Sequence, residues 1–450
     1  MITRSEAIFL KSIATGKDRH TGQYIADGLN ETIREIGPKN IVAITTDNAS
    51  NIKKSWKGVQ KEYPEILCLG CGSHMTNLLV EDIMKVPKLH QHFEAVKEVN
   101  RYWKNSGVLN GLLKATAKEI NQKFVALQLP GKTRWQGKLY TVRSNISNIK
   151  AMQRAILDQR ACQGDKPDAD AKEKYNRIRN VILDKQYWVK TKELEALLTP
   201  FLQVIISLET NKPKLSRLYA YYTFLLKETA TLSNSLLTRS EAHELINQRF
   251  KKLYHPLMTI AYLCDPVARD EMPVDVTDKQ VKGVGGWLLK HYKNDEKKTA
   301  TVYAELLELR AKSGPFSRPL DWAAAKKMDL VLWWKSLFSS HTELIQLAKW
   351  ALSISPTTGA AERNWSAFGY IHSKNRNSLL NDRVNKLVYI YWNLRIRERV
   401  GDERNTWFDD EEDKDEEKDK DLVEALFEPD VYKFGDDEAD DQEDIEDYDI

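Results

Sequence analysis

The sequence predicts an α/β protein with mostly α content. Strand–helix–strand alternation is confined to the stretch ending at Leu69. Helical periodicity then runs from Met75 to about residue 353. Residues 401–450 are acidic and low in complexity, with no pattern that could build a core. Alternation of strand and helix argues for an α/β layer, and the long helical stretch for helix packing outside it.

Taken in order, residues 6–14 (Glu-Ala-Ile-Phe-Leu-Lys-Ser-Ile-Ala) read as a short strand. A helix follows over about Gly22–Ile36, where Ile25, Leu29, Ile33 and Ile36 have helical spacing, and Gly37-Pro38 stops it. Ile41–Thr46 is a β-branched run polar on neither face, as expected of a strand with helices on both sides. After another helix, Glu65–Leu69 is the third strand. Leu194, Leu197, Leu198, Phe201, Ile205 and Leu208 then trace one helical face, and similar periodicity recurs over 215–232, 240–264, 280–312 and 328–353. Loops are expected at 163–172, 211–213, 265–276 and 314–319. A helix over Ala360–His372 opens near Glu362, and an apolar helix follows with Val384, Leu387, Val388, Tyr391, Trp392 and Leu394. No internal repeat is visible.

No apolar run approaches the roughly 18 to 20 residues that span a membrane, and the first residues carry no secretory signal. The cysteines are Cys68, Cys71, Cys162 and Cys264, too few in 450 residues for a disulfide framework, so a reducing compartment is expected. The net charge of +3 hides a division. Residues 401–450 hold 25 acidic and 5 basic side chains, a net −20; residues 1–400 hold 63 basic and 40 acidic, a net +23. A body that basic suits a polyanionic partner, nucleic acid being the commonest; a solvated, lysine-rich surface is the plainer alternative. The tail is expected to be disordered, with Leu422–Phe427 and Val431–Phe434 as apolar islands.

Several short motifs bear on chemistry. Asp47 lies just past a predicted buried strand, the edge where open α/β sheets place their sites, and its carboxylate suits a hard cation such as Mg²⁺. The alternative is a turn that caps the helix near Ser50. Cys68, Cys71 and His74 have the spacing of three zinc ligands, or else Cys68 is a buried strand residue and His74 begins a helix. Arg134 beside Trp135 suits a bidentate phosphate contact, or a buried indole under a snorkelling Arg. Glu362 in a first helical turn is favoured by the helix dipole whatever its role. Trp365 and Phe368 form a packing face, with Lys374, Arg376 and Arg383 adding positive charge beside it. The wide apolar face of the following helix marks a subunit contact unless other helices cover it.

In their order and separations, four blocks resemble the hAT superfamily of DNA transposases. They are Thr46-Asp47-Asn48-Ala49-Ser50-Asn51, Cys71-Gly72-Ser73-His74, Thr133-Arg134-Trp135 and Ala361-Glu362-Arg363-Asn364-Trp365-Ser366. Ile260–Pro266 is similar to a Leu-Asp-Pro block of the family's helical insertion, and Trp333–Leu394 to its C-terminal dimerisation region. The resemblance covers about residues 5–395. It implies an incomplete RNase H-like core over 1–150, a helical insertion over 151–329, a dimerisation region carrying the glutamate helix over 330–398, and the acidic tail over 401–450. It places the second catalytic aspartate on Asp47, the Cys/Asp-x-x-His motif on Cys71 and His74, the Arg-Trp motif on Arg134 and Trp135, and the catalytic glutamate on Glu362, which the insertion would bring back beside Asp47. Family members hold two Mg²⁺ or Mn²⁺ ions between two aspartates and this glutamate.

The first aspartate of that site has no counterpart here, because the strand that bears it would precede residues 6–14; Asp18 and Asp27 fall after that strand. The expectation is therefore a transposase-derived, N-terminally truncated chain that dimerises and binds DNA but lacks catalytic competence. Self-association is assigned to Trp365, Phe368, Leu387, Val388, Tyr391 and Trp392, and DNA contact to Lys374, Arg376 and Arg383. A nuclear location follows from the resemblance; no membrane and no small-molecule substrate are implied. Two other readings stand beside it: a fragment of an active cut-and-paste transposase using two metal ions, and a non-enzymatic chromatin or partner-binding protein acting through the acidic tail.

Overall fold

The structure, a computed structural model, describes residues 8–12, 19–131, 136–163, 169–208, 215–232, 234–338, 341–359, 361, 386–387 and 389–390. Over these the fold is α-rich, with two short strands.

Helix α1 (Gly22–Ile36) has the bounds its sequence predicts. The Thr21 hydroxyl accepts from Tyr24 N at its start, and Gly37, at φ 90°, ends it in a conformation that favours glycine. Strand β1 (Ala43–Thr46), helix α2 (Ser50–Glu62) and strand β2 (Leu67–Gly70) make one βαβ unit, with the strands parallel and Ala43 opposite Leu67. Gly58 lets α2 close on α1, since a Cβ there would sit 2.6 Å from the Ala26 Cβ. Ile33, Val59, Tyr63, Ile66 and Cys68 form a small core beneath the pair.

β2 is fully buried, but β1 is only half-buried, against the expectation of cover on both faces. Residues from far along the chain cover it in part. The Trp350 indole donates to Val42 O at 3.0 Å and the Thr45 hydroxyl to Ser355 O at 2.7 Å. The strand expected over 6–14 is not formed in its described part: residues 8–12 join no ladder. Instead Lys11 pairs with Glu35 of α1 at 2.7 Å, and the Phe9 ring lies edge-on to Tyr389 at 6.3 Å. Ile8, Phe9 and Leu10 are only half-buried, so the apolar run neither joins the sheet nor enters the core.

From Gly72 onward the chain is helical. Helices α3 (Gly72–Lys85), α4 (Pro87–Lys104), α5 (Gly107–Glu119), α6 (Gln136–Ser147), α7 (Ile149–Ala155), α8 (Gln159–Gln163), α9 (Ala169–Leu183) and α10 (Lys185–Leu208) come first. The predicted face Leu194–Leu208 of α10 is buried in the main core. Then come α11 (Leu215–Thr231), α12 (Arg239–Leu253), α13 (Pro256–Leu263), α14 (Pro266–Glu271), α15 (Asp278–His291) and α16 (Glu296–Ala311). The run read as one helix over 240–264 breaks at His255, because Pro256 opens a new helix where no N–H partner is needed. The loop expected over 265–276 contains α14, which Asp265 caps through Ala268 N at 2.9 Å. No helix among the described residues is long and apolar enough to cross a membrane, and all four cysteines are free.

Helices α17 (Pro319–Ala324), α18 (Leu330–Leu337) and α19 (Thr342–Leu352) close the body. The Trp333 indole donates to Asp321 O at 2.6 Å and the Trp334 indole to Cys264 O at 2.9 Å. The second of these bonds ties α18 to the turn between α13 and α14.

Burial depresses two histidines to about 4. His92 shares a 3.0 Å hydrogen bond with Thr191 Oγ1, and His255 lies edge-on to Trp287. Their folded pKa values lie below the unfolded value of about 6.5, so between pH 6.5 and 4 the unfolded chain binds more protons. Their contribution to stability is complete above pH 6.5 and is lost as pH falls toward 4, at up to about 1.4 kcal/mol per pH unit for each histidine. Urea midpoints across that window test this; His92→Gln should flatten the fall.

Candidate functional site

The carboxyl ends of β1 and β2 meet at one edge, and several motifs converge there. Asp47 directly follows β1 and is exposed. Its Oδ1 accepts from Ala49 N at 2.9 Å, closing a turn into α2. Asn48 reaches across to β2 and donates from Nδ2 to Cys71 O at 3.0 Å, while Cys71 N donates to Thr46 O at 2.7 Å. Gly70 leaves room for this crossing: a Cβ there would sit 2.1 Å from Asn48 Oδ1 and force the amide to shift.

Cys71 is wholly buried and caps α3 with its sulfur. Sγ accepts from His74 N at 3.4 Å and from Thr358 N at 3.3 Å, and the thiol faces Thr357 Oγ1 at 3.7 Å. Gly72 N donates to Pro356 O at 2.7 Å. These bonds strap residues Ile354–Gly359 across the sheet edge, and Ala361 N then donates to Thr358 O at 2.8 Å. The strap leads in sequence straight to Glu362, which itself lies outside the described residues.

Cys68 packs in the small core, and burial pushes its thiol up to about 12. His74 is half-buried in the first turn of α3. Among the described residues no group of three His, Cys, Asp or Glu side chains could hold a metal, so the zinc-like spacing of Cys68, Cys71 and His74 makes no such group. Asp47 is a hard oxygen donor of the kind Mg²⁺ or Mn²⁺ takes, and is so far a single one.

Arg134 and Trp135 also lie outside the described residues, but the segment that delivers them is pinned. Asn100 on α4 donates to Gln128 O at 2.9 Å, to Thr141 O at 3.0 Å and to Ser144 Oγ at 3.3 Å. Asn148 donates to Val125 O at 2.8 Å, and Gln122 to Ser147 O. Tyr187 and Asn145 complete the network: Tyr187 OH donates to Asn145 Oδ1 at 3.0 Å and Asn145 Nδ2 to Asn100 Oδ1 at 2.8 Å. Motif reading did not find these residues; a buried Asn amid helical apolar faces is the one signal that could have.

Of the self-association set, Leu387 is exposed, and so are its neighbours Tyr389 and Ile390, which the sequence did not single out. Trp365, Phe368, Val388, Tyr391 and Trp392 lie outside the described residues, as do Lys374, Arg376, Arg383 and the tail.

Two family models match the chain: a domain of unknown function (DUF659) over residues 1–99, and the hAT family C-terminal dimerisation region over 312–394. The first spans the βαβ unit and α3, the second runs from the end of α16 past Leu387. No curated protein matches the chain.

Proposed function

We propose, from the match to the hAT family C-terminal dimerisation region over residues 312–394, an hAT transposase-derived protein that pairs with itself and binds DNA without cutting it. The carrying observation is the dimerisation match over 312–394 together with the exposed apolar side chains Leu387 and Ile390 inside it. Unpaired apolar surface of this kind is covered when a second copy docks. DNA binding rests on the net +23 of residues 1–400.

In this reading residues 1–150 are a partial RNase H-like core, 151–329 the insertion, 330–398 the dimerisation region and 401–450 a disordered tail. Asp47 and Glu362 are two carboxylates of a three-carboxylate site. If loaded, they would hold Mg²⁺ or Mn²⁺, which supplies Lewis-acid activation of an attacking oxygen. Two such groups alone do not fix a pair of ions in working geometry. A nuclear location goes with DNA as partner.

The strap Ile354–Gly359 favours a second reading, metal-dependent strand cleavage, because it leads toward Glu362 from the edge that bears Asp47. One experiment separates the two. Native chain and a Leu387→Asp/Trp392→Asp variant are compared by analytical ultracentrifugation, then incubated with duplex DNA in Mg²⁺ and in Mn²⁺. The proposal expects a native dimer or higher oligomer, a monomeric variant, and salt-dependent binding without cleavage. A native monomer sinks the self-association reading. Cleavage that Asp47→Asn abolishes replaces the non-cutting reading with the second.

A further inference from the structure

A cavity of about 270 Å³ opens between the βαβ unit, the end of α15 and α19. Its walls are aromatic. The His291 and Trp350 rings lie 5.0 Å apart with planes 21° from parallel, and the Tyr292 ring stands beside His291 at 65°. Trp287 stacks on both His291 and Trp350, at 4.9 and 5.7 Å, and braces them. The Trp350 indole is fixed in turn by its hydrogen bond to Val42 O at 3.0 Å. Ile41, Val42 and Leu347 supply an apolar flank.

Two carboxylates line the same cavity, Glu65 in the turn before β2 and Glu343 in the first turn of α19. Glu343 is already answered: Lys298 of α16 pairs with it at 2.9 Å, and the same ammonium sits 4.7 Å over the Tyr292 ring. The chain thus places one of its own cations at this wall. Glu65 differs, being exposed and making no hydrogen bond or ion pair among the described residues. Close to Tyr292, Glu305 adds a further acid, whose buried Oε2 has no hydrogen-bond partner among the described residues and whose pKa burial raises. His291 is the one basic side chain in the lining. Desolvation, with the Lys298 charge adding to it, lowers its pKa below the usual imidazole value, so the ring is neutral at pH 7 and repels no cation.

We propose that this cavity binds one guanidinium group on a short aliphatic arm, as an arginine side chain presents it. The planar ion lies against the near-parallel His291 and Trp350 rings, whose π-faces attract cations, and its N–H fork meets the Glu65 carboxylate. The arm passes along Ile41, Val42 and Leu347. An ammonium is a point charge, and Tyr292 already holds one; a flat pair of rings favours the flat ion. Pockets for whole small ligands run to roughly 300–1,000 Å³, so about 270 Å³ suits a single side chain or a ligand of amino-acid size. Ile41, Val42 and Glu65 fall within the first family match and Glu343, Leu347 and Trp350 within the second, so an occupant ties the two matched regions together. Neither self-association nor DNA binding is required for it.

The test titrates the full chain by isothermal calorimetry with N-acetyl-arginine N-methylamide, with its uncharged citrulline counterpart and with free arginine. The blocked arginine should bind with a dissociation constant of about 1 mM, the scale of a single-residue contact. The citrulline probe, matched in shape but without charge, should bind at least about tenfold more weakly. Glu65→Gln should weaken the blocked arginine by about tenfold, while Glu31→Gln, an equal charge loss on the exposed side of α1, stays native. Circular dichroism checks that the folds match. Binding of either arginine probe with these losses supports the site. A tighter blocked form then marks a partner protein's side chain as the occupant, and a tighter free form marks a small molecule. Equal binding of the citrulline and arginine probes overturns the proposal. So does native-like binding by Glu65→Gln, or no binding of either arginine probe at about 10 mM.

Discussion

Replacing Trp334 by Ala should cost about 4 kcal/mol of stability, within the range of roughly 3–5 kcal/mol for deleting a fully buried indole. Trp334 is fully buried, packs at 5.2–5.3 Å from Trp333 and Phe338, and its Nε1 holds Cys264 O. The variant loses that apolar contact and also leaves a buried carbonyl without its donor. Because the bond joins α18 to the α13–α14 turn, the damage should reach the seating of the dimerisation region on the body. Urea unfolding followed by tryptophan fluorescence gives the stability loss, and ultracentrifugation shows whether self-association falls with it. Trp334→Phe should keep most of the packing and lose only about 1–2 kcal/mol. A loss below about 1 kcal/mol for Trp334→Ala would show that α18 is not packed as described.

Asn100→Leu is expected to cost about 3 kcal/mol or more, although it keeps the branched shape and adds apolar surface. The Asn100 amide is fully buried and serves three acceptors, and each buried group left unpaired costs roughly 1–3 kcal/mol. Gln128 O should lose most, since Thr141 O also belongs to a helix that can share its load. The consequence should be local as well as global. Backbone amides over 125–128 should exchange with solvent much faster than in the native chain, freeing the segment that delivers Arg134 and Trp135. A variant of native stability and native exchange over 125–128 would show that the network does not hold this segment.

Both residues mark where sequence reading stops. The helical face of α10 was legible because its contacts repeat every three to four residues, and α1 because Gly37-Pro38 punctuates it. Asn100 carries no such period: its partners lie 28 to 45 residues away and are chosen by how α4 and α6 pack. Residues 8–12 show the converse: their apolar run reads as a strand, yet it is at most half-buried and joins no ladder.

The sequence by itself determined the α-rich class, the βαβ start, the opposed charges of body and tail, and the dimerisation-region match, because each depends on local pattern, composition or short motifs. Only the tertiary structure decided that Cys71 caps α3 and grips the strap. Those contacts join residues 286 and 287 positions apart, and Val42 and Thr45 are met by Trp350 and Ser355 across 308 and 310 positions. Hydrogen-bond partners at such separations are set by which helix faces close on one another, and closure is a property of the packed core that no single segment encodes.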